Sequence, residues 1–489
     1  MEGAGELQTR IMRQFGFALR DPNPNIRFLA LEGIGRFPDP ALVEHVLPLL
    51  EDKDKYVRWK AIQVAGALGL PSVRHSLELL LHSPDPTTRT LAAQALGGTG
   101  KAEVLPSLLD LATREAAPRV RQTVIKNLHR FGSQIPWDFL ARCIRDPDLG
   151  VRIDTAITLG NAAPHDQACD ILINLLEQES NNHVFATALM SLGRFRKEIL
   201  LGYFQHSLLH QESRIRANAV EAMGNLPFRT VEQLVVPYLR DPSNRVKANV
   251  MGLYLQNGMG PRVLGEVRAL LTSSQRWERA SGAWLLGTYR VSELTPYLFS
   301  LLNDEEPAVA ERAAWALGQL RSPGLFDDLL REWGKAKQWA VPAFLSAFRR
   351  VARLENVPSL IAMLEKDRNP RTKATIIDIL TGLRALMARS AVEKLIWDPE
   401  QRIRISALLY MAATAGSSAN EMLVRALDDP SPRVRQLCAE ALLEKGDFRA
   451  LRTLAALLTE PEKQQRVLGG LALRDLSGTG AIVVPPTGP

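Results

Sequence analysis

Apolar residues recur in this chain with a helical period inside a longer repeat. Take the apolar residue before Arg27, Ile26, as position 0. Apolar residues then fill positions 0, 4, 5 and 8, one face of a helix of about ten residues. Equivalent anchors follow at Val57, Thr88, Val120, Val151, Val184, Ile215, Val246, Glu278, Val309, Trp339, Thr372, Ile403, Val434 and Gln465, spaced 30 to 33 residues apart. Upstream of each anchor lies a second amphipathic segment, often with proline in its first turn, as in TPYLFSLL (295–302) and VPSLIAML (357–364). Proline is tolerated there because that N–H has no helical partner. The pattern predicts helix, tight turn, helix, repeated fifteen times, with no strand.

The polar positions repeat as well. Five before the anchor, eleven of the fifteen units carry Asp or Glu, and Asp-Pro at 21–22, 146–147 and 429–430 marks a turn that stops the preceding helix. One after the anchor, twelve carry Arg or Lys; nine after it, eight carry Gly, read here as a left-handed helix cap. Acid and base recur together, which predicts a ladder of Asp–Arg pairs tying turns to neighbouring helices. A basic stripe for phosphates is the functional alternative. Phe185, Ala310 and Ala340 lack the base, and Gly334 lacks the acid, so the ladder is expected to be weakest at about 305–345.

Two short helices cannot bury their shared apolar face alone, so neighbouring pairs must stack. These units resemble HEAT repeats, in particular the short bacterial HEAT-like repeats of the phycobilisome-lyase type. The resemblance covers roughly residues 6–476. It implies an all-α fold, a right-handed α-solenoid of about fifteen helix pairs, in which the second helix of each pair lines the concave side. Residues 1–476 are expected to form this single array and residues 477–489, SGTGAIVVPPTGP, a disordered tail.

Composition narrows the function classes. Three cysteines, Cys143, Cys169 and Cys438, form no CxxC and fit a reducing, cytoplasmic setting rather than a disulfide framework. No apolar stretch reaches the ~20 residues a membrane helix needs, and the N-terminus has no secretory pattern. GGTGK (97–101) resembles the end of a phosphate loop, but Ala95 and Ala102 stand where Gly and Ser/Thr belong; a helix cap and turn is the simpler reading. His206 and His210 are expected four apart on one helix, a metal-ligand spacing, but without a third ligand. HEAT-like hydroxylases hold iron through His-Glu pairs, and this sequence contains no His-Glu dipeptide. Neither a catalytic constellation nor a cofactor is expected; accessory lyase-type chemistry rests on the name of the repeat alone.

Positions 2, 3 and 6 of the second helices are left facing outward by the buried set. Position 6 is polar at Glu32, Gln63, Gln94 and Lys126, but becomes Trp284, Trp315 and Leu345 further on. Position 3 adds Asn218, Asn249 and Arg312 beside them. Aromatics beside Arg and Asn have the composition of a binding hot spot. These six residues are the candidate site for a protein or peptide partner; core packing of the two tryptophans is the competing reading. The net charge of +7 permits an acidic partner. Residues 245–290 hold seven basic against two acidic side chains, and residues 331–354 hold six against one. Nucleic acid is therefore the alternative partner.

Overall fold

In a computed structural model, the described residues are 16–444 except Ala18, residues 37–39 and Ser417. The fifteenth repeat, with Leu471, and the expected tail 477–489 lie outside them. Among the described residues every regular element is helical. The chain divides into two compact units, residues 1–253 and 254–489.

The second helices of the first unit are α1 (Pro24–Arg36), α2 (Lys55–Leu68), α3 (Pro86–Gly98), α4 (Pro118–Leu128), α5 (Leu149–Asn161), α6 (Asn182–Gly193) and α7 (Ser213–Met223). Helix α8 (Asn244–Gln256) contains the division between the units. The second unit continues with α9 (Arg276–Tyr289), α10 (Pro307–Leu320), α11 (Val341–Val351), α12 (Pro370–Gly382), α13 (Gln401–Thr414) and α14 (Pro432–Glu444). The second helices α1 to α7, and α9 to α14, pack side by side in succession, and each of α2 to α7 and α9 to α14 also packs on the first helix of its own pair. The all-α solenoid expected from the repeat is the fold observed.

Most of the described anchors are core. Val120, Val151, Val184, Ile215 and Val434 are fully buried, as are Ala61, Ala92 and Ala313 at position 4. Helix starts are built as the sequence suggests. Asp54, Asp85, Asp148, Asn181 and Asn369 accept hydrogen bonds from first-turn N–H groups, which have no partner within the helix.

The acid–base ladder is present. Arg27 Nε and Nη2 grip both oxygens of Asp52 at 2.7 Å, while Nη1 bonds the carbonyls of Asp21 and Pro22 in its own turn. Arg89–Glu115, Arg121–Asp146, Arg152–Glu179, Arg216–Asp241, Arg279–Asp304 and Arg404–Asp429 repeat this arrangement. Each acid also accepts the N–H two residues on, as Asp241 does from Ser243 and Asp304 from Glu306, which fixes the turn. Every rung thus joins one repeat's turn to the next repeat's turn.

Three expectations are corrected. The glycines at position 9 are not left-handed caps: Gly66, Gly97, Gly160 and Gly193 are helical, and none has positive φ. They mark where neighbouring backbones touch, since a Cβ built on Gly66 would lie 2.6 Å from Ala95 Cβ, and one on Gly193 2.7 Å from Ala222 Cα. The positive-φ residue lies three residues later, at Gly69, Gly100 and Gly132, and at Arg196, Arg290, Arg321 and Arg384. Second, the anchor of the eleventh repeat is Ala340 rather than Trp339. Ala340, Phe344 and Phe348 are buried, whereas Trp339 is 55% exposed. Third, His206 and His210 do not share a helix: His206 lies in Leu201–Leu208 and His210 in the turn beyond it.

Candidate functional site

The ladder has gaps where the sequence loses its pairs. At Phe185 and His210 the missing rung is replaced by stacked rings, centroids 6.2 Å apart. At Ala310 and Gly334 no side-chain rung can form, and the Lys337 N–H bonds Asn303 Oδ1 across the two turns at 3.0 Å. Just beyond, inside the eleventh pair, an apolar cluster forms where Phe326 and Trp333 from the helix Leu325–Trp333 meet Phe344 and Phe348 of α11 edge-on at 5.3 to 5.9 Å. The candidate aromatics Trp284 and Trp315 sit on α9 and α10, immediately before this cluster.

Both tryptophans are half-buried. The Trp284 ring meets Tyr289 edge-on at 6.1 Å. Trp315 lies against the bare backbone of Gly287, where a Cβ would come within 2.5 Å of its Cζ3. The Arg312 guanidinium, exposed to solvent, sits 5.5 Å from the Trp315 ring centre, a cation–π contact. Each indole therefore spends one part on the neighbouring structure and offers another to solvent. Neither the wholly exposed nor the wholly core reading is right.

The other three predicted residues are used internally. Leu345 is buried, because moving the anchor to Ala340 places it at position 5, on the core face. Position 6 then falls on Ser346, which donates to Glu311 at 2.9 Å. Asn218 is buried; its Nδ2 donates to the Ala186 carbonyl at 2.8 Å and its Oδ1 accepts from Arg245. Asn249 repeats the first of these bonds one helix on, to the Ala217 carbonyl at 2.9 Å. The asparagines are thus hydrogen-bonded bridges between adjacent second helices. Sequence reasoning missed Trp277, which is 55% exposed and seven residues before Trp284 on α9. Its signal was this i, i+7 spacing, which puts both rings on one helix face.

Carboxylates pair with at least two of the seven basic side chains of the 245–290 window and with four of the six of the 331–354 window. Arg279 belongs to the ladder, Arg276 pairs with Glu306, and Arg350 with Glu311. Arg349 pairs with Asp378, Arg331 with Asp328 and Lys335 with Glu332. Lys337 sits 4.7 Å over Trp339.

Elsewhere the residues carry structure. GGTGK closes α3, Gly100 takes the left-handed turn, and Lys101 Nζ bonds the Gly69 carbonyl. The described residues hold no cluster of three or more metal-ligating side chains. His210 Nδ1 accepts the Glu212 N–H. Cys169 and Cys438 are buried, and burial pushes the Cys143 thiol up to about 12, so it stays protonated and unreactive. No described helix is long and apolar enough to cross a membrane.

Repeated helix pairs, a buried anchor in nearly every repeat and an arginine–carboxylate ladder define a helical-repeat solenoid. The chain belongs to the HEAT repeat family: the model of HEAT repeats matches residues 16–80, 73–160, 264–341 and 391–473, more than half of the sequence. A comparison with curated protein sequences finds no match. Among solved structures, the chain is similar to the complex of CpcE and CpcF of phycocyanin lyase from Nostoc sp. PCC7120, at 17% identity over 50% of this chain and 94% of that one, TM-score 0.30. It is also similar to Kap95p in complex with RanGDP, at 14% identity over 97% and 75% of the two chains, TM-score 0.43. A chain of a homology model of the full-length AP-3 complex in an intermediate open conformation matches at 11% identity over 93% and 99%, TM-score 0.43.

Proposed function

We propose that this chain is a non-enzymatic, cytoplasmic scaffold that holds a protein or peptide partner on the second-helix wall of α9 and α10. Trp277, Trp284 and Trp315 supply the apolar contacts, and Arg312 supplies a cation that already stacks on Trp315. The observation that carries the reading is the switch at position 6 from polar residues to half-exposed indoles. Large, rigid rings beside arginine give much contact area for little lost side-chain entropy. The pairing of four of the six basic side chains at 331–354 with carboxylates speaks for such a partner over nucleic acid, which needs free cations for phosphates.

The test begins with full-length protein as bait, wild type beside Trp284→Ala, followed by affinity measurement on the purified partner. Trp284→Ala and Arg312→Ala should each weaken binding at least about tenfold, as expected for a residue contributing more than ~1.4 kcal/mol. Melting should stay close to wild type for Arg312→Ala. Unchanged affinity in both variants would remove the site. A partner lost steeply between 50 and 200 mM salt and identified as nucleic acid would replace it with the alternative.

A further inference from the structure

Several repeats carry two basic residues flanking the anchor: Arg119-Val-Arg121, Arg214-Ile-Arg216, Arg371-Thr-Lys373, Arg402-Ile-Arg404 and Arg433-Val-Arg435. The second arginine is explained. Arg404 is a ladder rung to Asp429, and Arg435 bonds the carbonyls of Asp429 and Pro430. The first is not. Arg371, Arg402 and Arg433 are all exposed, at the same place in the first turn of α12, α13 and α14. The guanidinium groups of Arg371 and Arg402 make no hydrogen bond or ion pair among the described residues, and Arg433 reaches only the neutral Gln436. Asp378, seven residues after Arg371 on the same face, is held by Arg349 at 3.6 Å and also faces Arg402 electrostatically. Glu400 lies two residues before Arg402. The strip remains basic.

We propose that Arg371, Arg402 and Arg433 form a binding strip for an extended acidic polypeptide segment with a carboxylate at every third residue. The argument is one of pitch and charge. α12 packs on α13, and α13 on α14, and packed helices lie about 8–10 Å apart. Three residues of a polyproline II chain complete one turn and span roughly 9 Å, so carboxylates at every third residue share one face and meet successive guanidinium forks, whose geometry suits bidentate pairing. A DNA strand advances only about 3.4 Å of helix axis per phosphate, and the first turns of α12 to α14 present no aromatic ring for bases. The strip is distinct from the tryptophan wall on α9 and α10, so either can fail alone.

The test uses full-length protein and a fluorescent (Glu-Pro-Ser)5 peptide, read by anisotropy. Its prolines favour an extended form of about 3.1 Å per residue. It should bind at least about tenfold more tightly than a peptide of identical composition with scrambled glutamates, since each added pair is a charged hydrogen bond. Arg402→Glu and Arg402→Ala should both weaken it, the former more, while Trp284→Ala leaves it unchanged. A control melt shows that the variants fold. Equal binding of the spaced and scrambled peptides, or an Arg402→Glu variant that binds like wild type, overturns the proposal. So does an oligothymidine of equal charge that displaces the peptide more effectively than the peptide displaces itself.

Discussion

Arg279→Ala removes one rung of the ladder, and its cost follows from the geometry. Arg279 makes two bonds to Asp304, at 2.6 and 2.8 Å, and two to the carbonyls of Ser273 and Ser274, both at 3.0 Å. The side chains are 18% and 6% exposed. Breaking a buried pair costs about 3–5 kcal/mol because it strands a charge, whereas a fully exposed pair is worth about 0–1 kcal/mol. This pair lies nearer the buried limit, but water reaches the arginine side, and Asp304 keeps the N–H of Glu306. We expect about 2–4 kcal/mol, felt mainly where the turns of Ser273 and Asp304 meet. A repeat array does not unfold as one two-state body, so the assay is native-state hydrogen exchange by mass spectrometry. Peptides spanning 300–310 should exchange about thirty-fold to several hundred-fold faster. Arg279→Lys should recover less than half of the loss, since an ammonium cannot bridge both carboxylate oxygens and two carbonyls. Arg268→Ala, an exposed change on the first helix Leu264–Leu271, is the control. Exchange in 300–310 that matches this control would show that the ladder contributes nothing to stability.

Gly193→Ala should destabilise by about 1–3 kcal/mol through overpacking, because its Cβ would meet Ala222 Cα and Cβ at 2.7 Å; a melt within 1 °C of wild type would refute the close approach. Acid should unfold the array through the ladder. Arg89's hydrogen bonds hold Glu115 below its usual range; for Asp52, Asp241, Asp304 and Asp429 burial pushes upward, but the arginine and turn N–H bonds together outweigh it. With the folded values depressed, this stability is present above the unfolded carboxylate range of about 4 and is lost as pH falls through the folded values. Melting temperature should therefore be nearly flat from about pH 5 to 8 and drop below about pH 4. Cys143, with its thiol pushed up to about 12, should resist alkylation by iodoacetamide at pH 8 in the native state; labelling at the rate of the unfolded chain would contradict its burial.

The repeat, the helix pairs and the ladder were legible in the sequence because each depends on local spacing: a 3.6-residue period, a capping residue, an acid and a base at fixed distance. What failed depends on neighbours. Position 9 glycine reads as a cap only until the adjacent helix is in place, and then the same missing Cβ serves close contact between Gly66 and Ala95. Leu345 was assigned to the wall from an anchor one residue early, since Trp339 looked apolar enough to be buried and Ala340 too small to matter. Asn218 and Asn249 have the composition of a binding surface, but their amide groups are consumed by the Ala186 and Ala217 carbonyls. Trp315 lay between the two readings because part of its ring faces Gly287 of the preceding second helix, a neighbour that only the fold supplies.

The apolar packing of Phe326, Trp333, Phe344 and Phe348 differs in kind from the ladder joints. It lies inside the eleventh helix pair, between the helix Leu325–Trp333 and α11. A guanidinium fork fixes distance and angle, so a ladder joint resists sliding and has one preferred pose. Dispersion and hydrophobic contact between rings are nearly indifferent to small displacements. That pair can therefore flex within itself at little cost, and its ring contacts are indifferent to protonation. Acid or high salt should soften the rung-bearing joints and the Glu311–Arg350 pair between α10 and α11 while leaving these ring contacts unchanged, so the stiffest and the most yielding contacts exchange places as conditions turn acidic.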